Sequence, residues 1–510
     1  MNSAAGYVAD VDYTAGFYRE TAPSHLAFAA LVSGAAPGRA LAPARVLDLG
    51  FGQGFGLALI AAANPDVAFE GCDVSEGHVA HARRLIDAVR LANVTLTQTS
   101  FEEAAARRGD RNLDVIVMHG ILTWVSRTTQ DATLAIMRDR LRPGGLAYVS
   151  YNCLPGWAPL APLRQLMLDM KRQQQDGSER QLARALYVLS ELRQGNAPYF
   201  LANPAAARHL DDMLGMDPRY LAHEYLGEHW TPMPFSQAAA RLGEAGLSYV
   251  ASATLPENFD RYSVPQNLRP LLPARKDRVL DEAVRDFASN KYFRRDIFAR
   301  DPAPLAAGER RRALSGFRFA LVVPRHRIVF RFFAPLGEFG GKEELYAPVA
   351  DALVAKPVGF DELIALPQFG EERIAQLLEC LTLLVHSGQV LPVVPSASPD
   401  AGPARRFNRM IVEEARAGRV HDNLACPVTR SGIPVTDFGL LALAALFDGK
   451  AADGDSAARH ALDILKRLGR RPLRDRKPIE DDEDAVSFLA QHMTPIIEES
   501  IPLWQRLGMF

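Results

Sequence analysis

Asp48, Gly50, Gly52 and Gly54 stand in an acid-x-Gly-x-Gly-x-Gly run, and Asp73 follows 23 residues after Gly50. A turn of this kind lets the backbone approach a ligand closely, because glycine carries no side chain and accepts left-handed backbone. The spacing narrows the ligand. A dinucleotide fingerprint needs Gly-x-Gly-x-x-Gly/Ala, yet the sixth position is Phe55 counted from Gly50 and Leu57 counted from Gly52. A triphosphate loop needs Gly-Lys followed by Ser or Thr, and the two Gly-Lys pairs run on into Glu343 and Ala451. What remains is a turn for a ligand without phosphate.

The elements around these residues read as a doubly wound sheet. A short apolar strand at 45–49 precedes the glycines, and an alanine- and leucine-rich helix follows them. "VAFEGCDV" is a second strand ending at the acid. The stretch 76–93 is helical by its apolar spacing: Val79, Ala82, Leu85, Ile86 and Val89. "VTLTQTS" and "LDVIVMHG" are the third and fourth strands. A helix beginning at "QDATLAIMRDR" is stopped by Pro143-Gly144-Gly145, and "LAYVSYN" is the fifth strand. Strands alternating with helices predict a parallel sheet covered on both faces, with ligands at the carboxyl ends of its strands.

The Asp48–Gly54 run resembles the first motif of the class I S-adenosylmethionine methyltransferases. That resemblance implies S-adenosyl-L-methionine as cofactor, with Asp48 near its ammonium group and Asp73 accepting from both ribose hydroxyls. After the third strand the family usually places an acid toward the adenine amino group. Here Ser100 stands there, and Phe101 beside it can pack on the adenine. His119 and Trp124 follow the fourth strand and should face the methyl donor or acceptor. Tyr151 and Asn152 end the fifth, where acceptors enter. The aromatic N-terminal segment with Tyr7, Tyr13 and Tyr18 can fold over the cofactor. As acceptor-binding or catalytic groups the candidates are Tyr13, Tyr151 and Asn152, with His119 as a weaker base. Each also has a structural reading, as core or turn residues.

Several motifs fail. The Asp/Asn/Ser-Pro-Pro-aromatic signature of amino-methylating DNA enzymes is replaced by Met118-His119-Gly120-Ile121, and Cys153 precedes Leu154-Pro155, the wrong order for a cytosine C5 nucleophile. "HEYLGEHW" is no zincin: the fifth residue from His223 is Gly227, and His229 lies off the helical face. No metal is expected.

The chain has 510 residues, 48% hydrophobic and 23% charged, with a formal net charge of -2. Such a balance gives no global field toward nucleic acid or an anionic membrane. No apolar run is long enough for a membrane span, and the start lacks the basic and apolar regions of a signal peptide. Four scattered cysteines without a CxxC pair suit reduced thiols and a cytoplasmic setting.

The predicted organisation is a Rossmann-like α/β core over 1–325, interrupted by a helical insertion and regulatory region at about 160–232, with "FRFALVVPR" (317–325) as its last strand. A winged-helix-like domain follows at 326–395, and a mostly helical one at 405–510. The third helix of the winged-helix-like part carries Glu371, Glu372 and Glu379 against Arg373. An acidic helix does not enter a groove of phosphates, so protein contact or scaffolding is the expectation.

Three further stretches, "YLAHEYLGEHWTPMPFSQAAARLGEAGLSYV", "SNKYFRRDIFAR" and "LACPVTRSGIPV", resemble the bacterial methyltransferases with a methyltransferase regulatory domain. Among these the chain is similar to the lysine methyltransferases of outer-membrane proteins. The resemblance implies a protein lysine acceptor and a homodimer. Two other readings stay open: a small-molecule N- or O-methyltransferase, and an inactive methyltransferase fold serving as an interaction partner.

Overall fold

The computed structural model describes residues 16–43, 45–107, 109–173, 176–272, 277–394 and 400–510. Seven strands form the central sheet: β1 (Arg45–Leu49), β2 (Ala68–Asp73), β3 (Val94–Gln98), β4 (Leu113–Met118), β5 (Leu141–Asn152), β6 (Leu247–Ser252) and β7 (Phe293–Arg300). Their order is β3-β2-β1-β4-β5-β7-β6. The first five pair in parallel, and β7 runs antiparallel between β5 and β6. The order reverses between β1 and β4, which opens the crevice where such sheets hold ligands. All six residues of β4 are buried, as expected for a parallel strand covered on both faces.

Helix α1 (Pro23–Val32) packs against β6, where Ser33 Oγ donates to the carbonyl of Val250, and helices α2 (Phe55–Ala63), α3 (Glu76–Val89), α4 (Phe101–Ala106) and α5 (Arg127–Arg140) flank the first five strands. Between β5 and the late helix α11 (Phe235–Glu244) lie α6 (Ala161–Lys171), α7 (Ser178–Gln194), α8 (Pro198–Ala202), α9 (Pro204–Met213) and α10 (Pro218–Leu226). These five helices close around an apolar core of their own, including Leu163, Leu182, Leu210 and Leu221, separate from the cores on the two faces of the sheet. The short α12 (Asp260–Ser263) and then α13 (Arg278–Ser289) lead into β7.

Three sequence expectations are corrected. First, β5 begins at Leu141, so Pro143-Gly144-Gly145 lies within the strand, and α5 stops at Arg140. A register shift against β4 between Leu113 and Val115 absorbs the irregularity. Second, the last core strand is β7, not 317–325. The strand Arg318–Leu321 pairs with Val358–Gly359 and Val390–Val393 in a separate three-stranded sheet. Third, a boundary at 325 would cut that small sheet apart. A short apolar run announces a strand but not the sheet that will take it.

Residues 16–20 are held by both downstream regions. Phe17 packs on Gly432, where a Cβ would lie 2.4 Å from its ring. Arg19 Nη2 donates to the carbonyl of His386 at 2.5 Å. Tyr18, between them, is thereby presented to the sheet's carboxyl edge. Tyr7 and Tyr13 lie outside the described residues.

Candidate active site

Two cavities meet at that edge. The first, about 260 Å³, is lined by Asp48, Gly50, Gly52, Gly54, Asp73, Ser100, Phe101 and His119, all candidates from sequence. The glycines take φ of +76°, +59° and +77°, a conformation that disfavours other residues. A Cβ on Gly54 would lie 2.4 Å from that of Ala82, whereas one on Gly52 would point into open space. The turn therefore packs on α3 at one end and offers bare backbone to the cavity in its middle.

Asp73 is fixed at the end of β2. Its Oδ2 accepts from Gly52 N at 3.0 Å, and its Oδ1 accepts from Ser75 N at 2.9 Å. Burial, reinforced by the neighbouring Asp73, pushes Asp48 up to about 7. Two carboxylates facing one cavity repel phosphate and favour a cation, so the residues fit the ammonium and ribose of S-adenosylmethionine and not a pyrophosphate. Val74 and Phe101 add apolar surface to the same cavity, suited to a flat base. Ser100 is used locally: its Oγ accepts from Glu103 N at 3.1 Å, and Glu103 Oε2 accepts from Ser100 N, a capping box that starts α4.

The second cavity, about 550 Å³, lies between the insertion and the ends of β5 and β7. The two cavities share Tyr18, His119, Gly120, Trp124 and Glu224. The Tyr18 and His119 rings stack with centroids 3.8 Å apart. Beyond them the second cavity has Trp157, Tyr220, Tyr292 and Phe293 as aromatic walls.

Asn152 lines this second cavity, and its Nδ2 donates to Glu224 Oε1 at 3.0 Å. Tyr151 lines neither cavity. Successive strand residues face opposite ways, and Tyr151 turns into the core, where its hydroxyl donates to Asp296 at 2.7 Å. The sequence expectation that Tyr151 handles the acceptor is therefore corrected. His119 is a poor base: burial, aided by Arg295, pushes it down to about 3, and its Nδ1 lies 2.8 Å from the Tyr148 hydroxyl.

Sequence reasoning missed Glu224, Trp157, Tyr220 and Tyr292. The available signal was in "HEYLGEHW", dismissed as a metal motif. Glu224 sits in the run Leu221–Leu226, every residue of which is buried, and an acid inside such a run requires a partner or a task.

Comparison with known proteins agrees with this geometry. Residues 46–145 match a family described as "Methyltransferase domain", and residues 217–300 match one described as "Predicted methyltransferase regulatory domain". The second match takes in β6 and β7 and overlaps the helical insertion only near α10. The uncharacterized protein sll1526 of Synechocystis sp. is 30% identical over 511 residues, 99% of each chain. Among solved structures, PKMT2 from Rickettsia typhi in complex with AdoHcy superimposes with a TM-score of 0.68 at 20% identity, covering 95% of this chain and 99% of that one. Another structure of the same rickettsial protein gives 0.69, covering 98% and 100% at 20% identity.

Proposed function

We propose that this chain, which belongs to the class I S-adenosylmethionine-dependent methyltransferases bearing a methyltransferase regulatory domain, transfers methyl groups to lysine side chains of a protein. The observation that carries this reading is the second cavity. Its aromatic walls suit an aliphatic stem, and the buried carboxylate where it meets the cofactor cavity suits the ammonium at the stem's end. The fold shared with PKMT2 from Rickettsia typhi, which was solved in complex with AdoHcy, is consistent with the cofactor this reading requires.

When bound, S-adenosylmethionine supplies an electrophilic methyl group on a cationic sulfur. The chain supplies position and exclusion of water. Asp48, Asp73 and the glycine turn hold the donor, while the Tyr18–His119 stack and Trp124 form the junction through which donor and acceptor meet. A neutral His119 adds no positive charge beside the sulfonium.

The test is methyl transfer from labelled S-adenosylmethionine to proteins of the host lysate, with Gly52→Asp as control, followed by hydrolysis of the labelled protein. Label recovered as methyl-lysine supports the reading. Label confined to soluble small molecules, or released from protein as methyl ester, overturns it.

Cofactor affinity should also depend on pH through Asp48. Below about 7 the free protein carries this carboxyl protonated, and the proton must leave when an ammonium group binds. Affinity should fall by up to about tenfold per pH unit on acidification below that point, and Asp48→Asn should bind weakly with the slope removed. The stability sign is opposite: a carboxyl raised in the folded state stabilises at low pH and loses that contribution as pH rises through about 7. Without ligand, Asp48→Asn should therefore melt higher than wild type at alkaline pH. Calorimetry across pH and thermal unfolding check the two halves.

A further inference from the structure

We propose that Glu224, brought to the junction of the two cavities by α10 of the helical insertion and oriented by Asn152, takes the proton of the acceptor ammonium. This rests on the lysine reading above. Glu224 is 8% exposed and lines both cavities. Asp48, Asp73 and Glu102 line the cofactor cavity alone, and Asp212 the second alone. His119, at the junction, is too weak a base, and burial raises the phenol of Tyr220, in the second cavity, well above its usual range, so it stays protonated.

The charged and titratable groups around Glu224 come from several elements. Arg164 of α6 and the Asn152 amide pull its pKa down, yet burial outweighs both and sets it at about 7. Tyr220 and Tyr225 share its helix and each feels its charge. Tyr18 and His119 face it from the junction, and Arg208, His209, Asp212 and Arg295 also line the second cavity, Arg295 close enough to lower His119. A carboxyl near neutrality can accept a proton and release it again at physiological pH.

In the step, an ammonium N–H bond breaks and an O–H bond forms on Glu224. The freed nitrogen lone pair forms the N–C bond, and the methyl group's former bonding pair leaves on sulfur. The product nitrogen is again cationic, and the proton on Glu224 passes to solvent before another turnover. The helical insertion thus completes the active site, because the α/β core alone lacks this carboxylate.

The experiment uses the full chain and has two readouts. In the first, n-butylammonium, a surrogate for the lysine side chain, is titrated into protein loaded with S-adenosylhomocysteine and followed by tryptophan fluorescence, since Trp124 and Trp157 line the cavities. Wild-type affinity should rise by up to about tenfold per pH unit until about pH 7 and then level. Glu224→Gln should bind at least about tenfold more weakly, with no such rise. The second readout is the pH profile of labelled transfer into protein. Glu224→Gln should be slower by about 100-fold or more, and its rate should climb steadily toward the amine's own pKa instead of levelling near neutrality. Glu224→Asp should restore the wild-type profile in part. Should Glu224→Gln lose binding of S-adenosylhomocysteine, the wild-type titration and the Glu224→Asp profile decide the matter. A flat wild-type titration, or a Glu224→Gln profile like wild type, overturns the role of Glu224 while methyl-lysine in the product leaves the lysine reading intact. Absence of both methyl-lysine and butylammonium binding overturns the lysine reading itself.

Discussion

Asp73→Ala is expected to weaken S-adenosylmethionine binding by at least about 100-fold, because it removes two charge-assisted hydrogen bonds of roughly 1.5–3 kcal/mol each and about 1.4 kcal/mol corresponds to a factor of ten. The carboxylate has two tasks. It holds the glycine turn through Gly52 N at 3.0 Å and the start of α3 through Ser75 N at 2.9 Å. It also faces the cavity where ribose hydroxyls would donate to it. Asp73→Asn should fall between wild type and alanine: the amide keeps the shape but loses the charge, and its NH₂ end must face one of those two backbone donors. Calorimetric titration gives the affinity, and circular dichroism checks that the fold survives. Wild-type affinity in Asp73→Ala would remove Asp73 from the site.

Arg294→Met is expected to destabilise the protein by about 3–5 kcal/mol, the usual cost of removing one partner from a buried ion network. Arg294 is 2% exposed. It donates to Glu282 and Asp286 of α13 and to Asp296 of its own strand, at 2.8, 2.6 and 2.8 Å. Its guanidinium also lies 4.3 Å from the centroid of Phe235. Methionine can fill the space but cannot neutralise the carboxylates. Asp286, already pushed up to about 6 by burial despite Arg294, would then bind a proton more readily, so the loss should be larger at alkaline than at acid pH. Adding Asp286→Asn and Asp296→Asn should recover part of it. Urea unfolding of the single and triple variants measures this, and a loss under about 1 kcal/mol, the range of an exposed ion pair, would mean the network does not hold α13 to the sheet.

Asn152 and Tyr151 show how far reading along the chain reaches. Both end β5, and that position at the strand's carboxyl end made both acceptor candidates. The strand's alternation sends Asn152 to Glu224 and Tyr151 to Asp296, and which of the two faces a cavity depends on what covers each side of the sheet.

The cofactor half of the site was legible because it is local in sequence. A strand, a glycine turn, a helix and an acid at the end of the next strand occupy 45–73, and adjacent parallel strands bring such residues together whatever the rest of the chain does. The same holds for the alternating elements that specify the α/β core. The half of the site around the second cavity depended on contacts between distant segments. Glu224 stands 72 positions from Asn152, and Tyr18 reaches His119 from the other end of the core with its neighbours Phe17 and Arg19 held by Gly432 and His386. Likewise Arg318–Leu321 carried a legible strand pattern, but only packing showed that its partners are Val358–Gly359 and Val390–Val393. Periodicity records which face of an element is buried; which other segment buries it is decided by the cooperative packing of the whole core, and the second cavity exists only once that packing is complete.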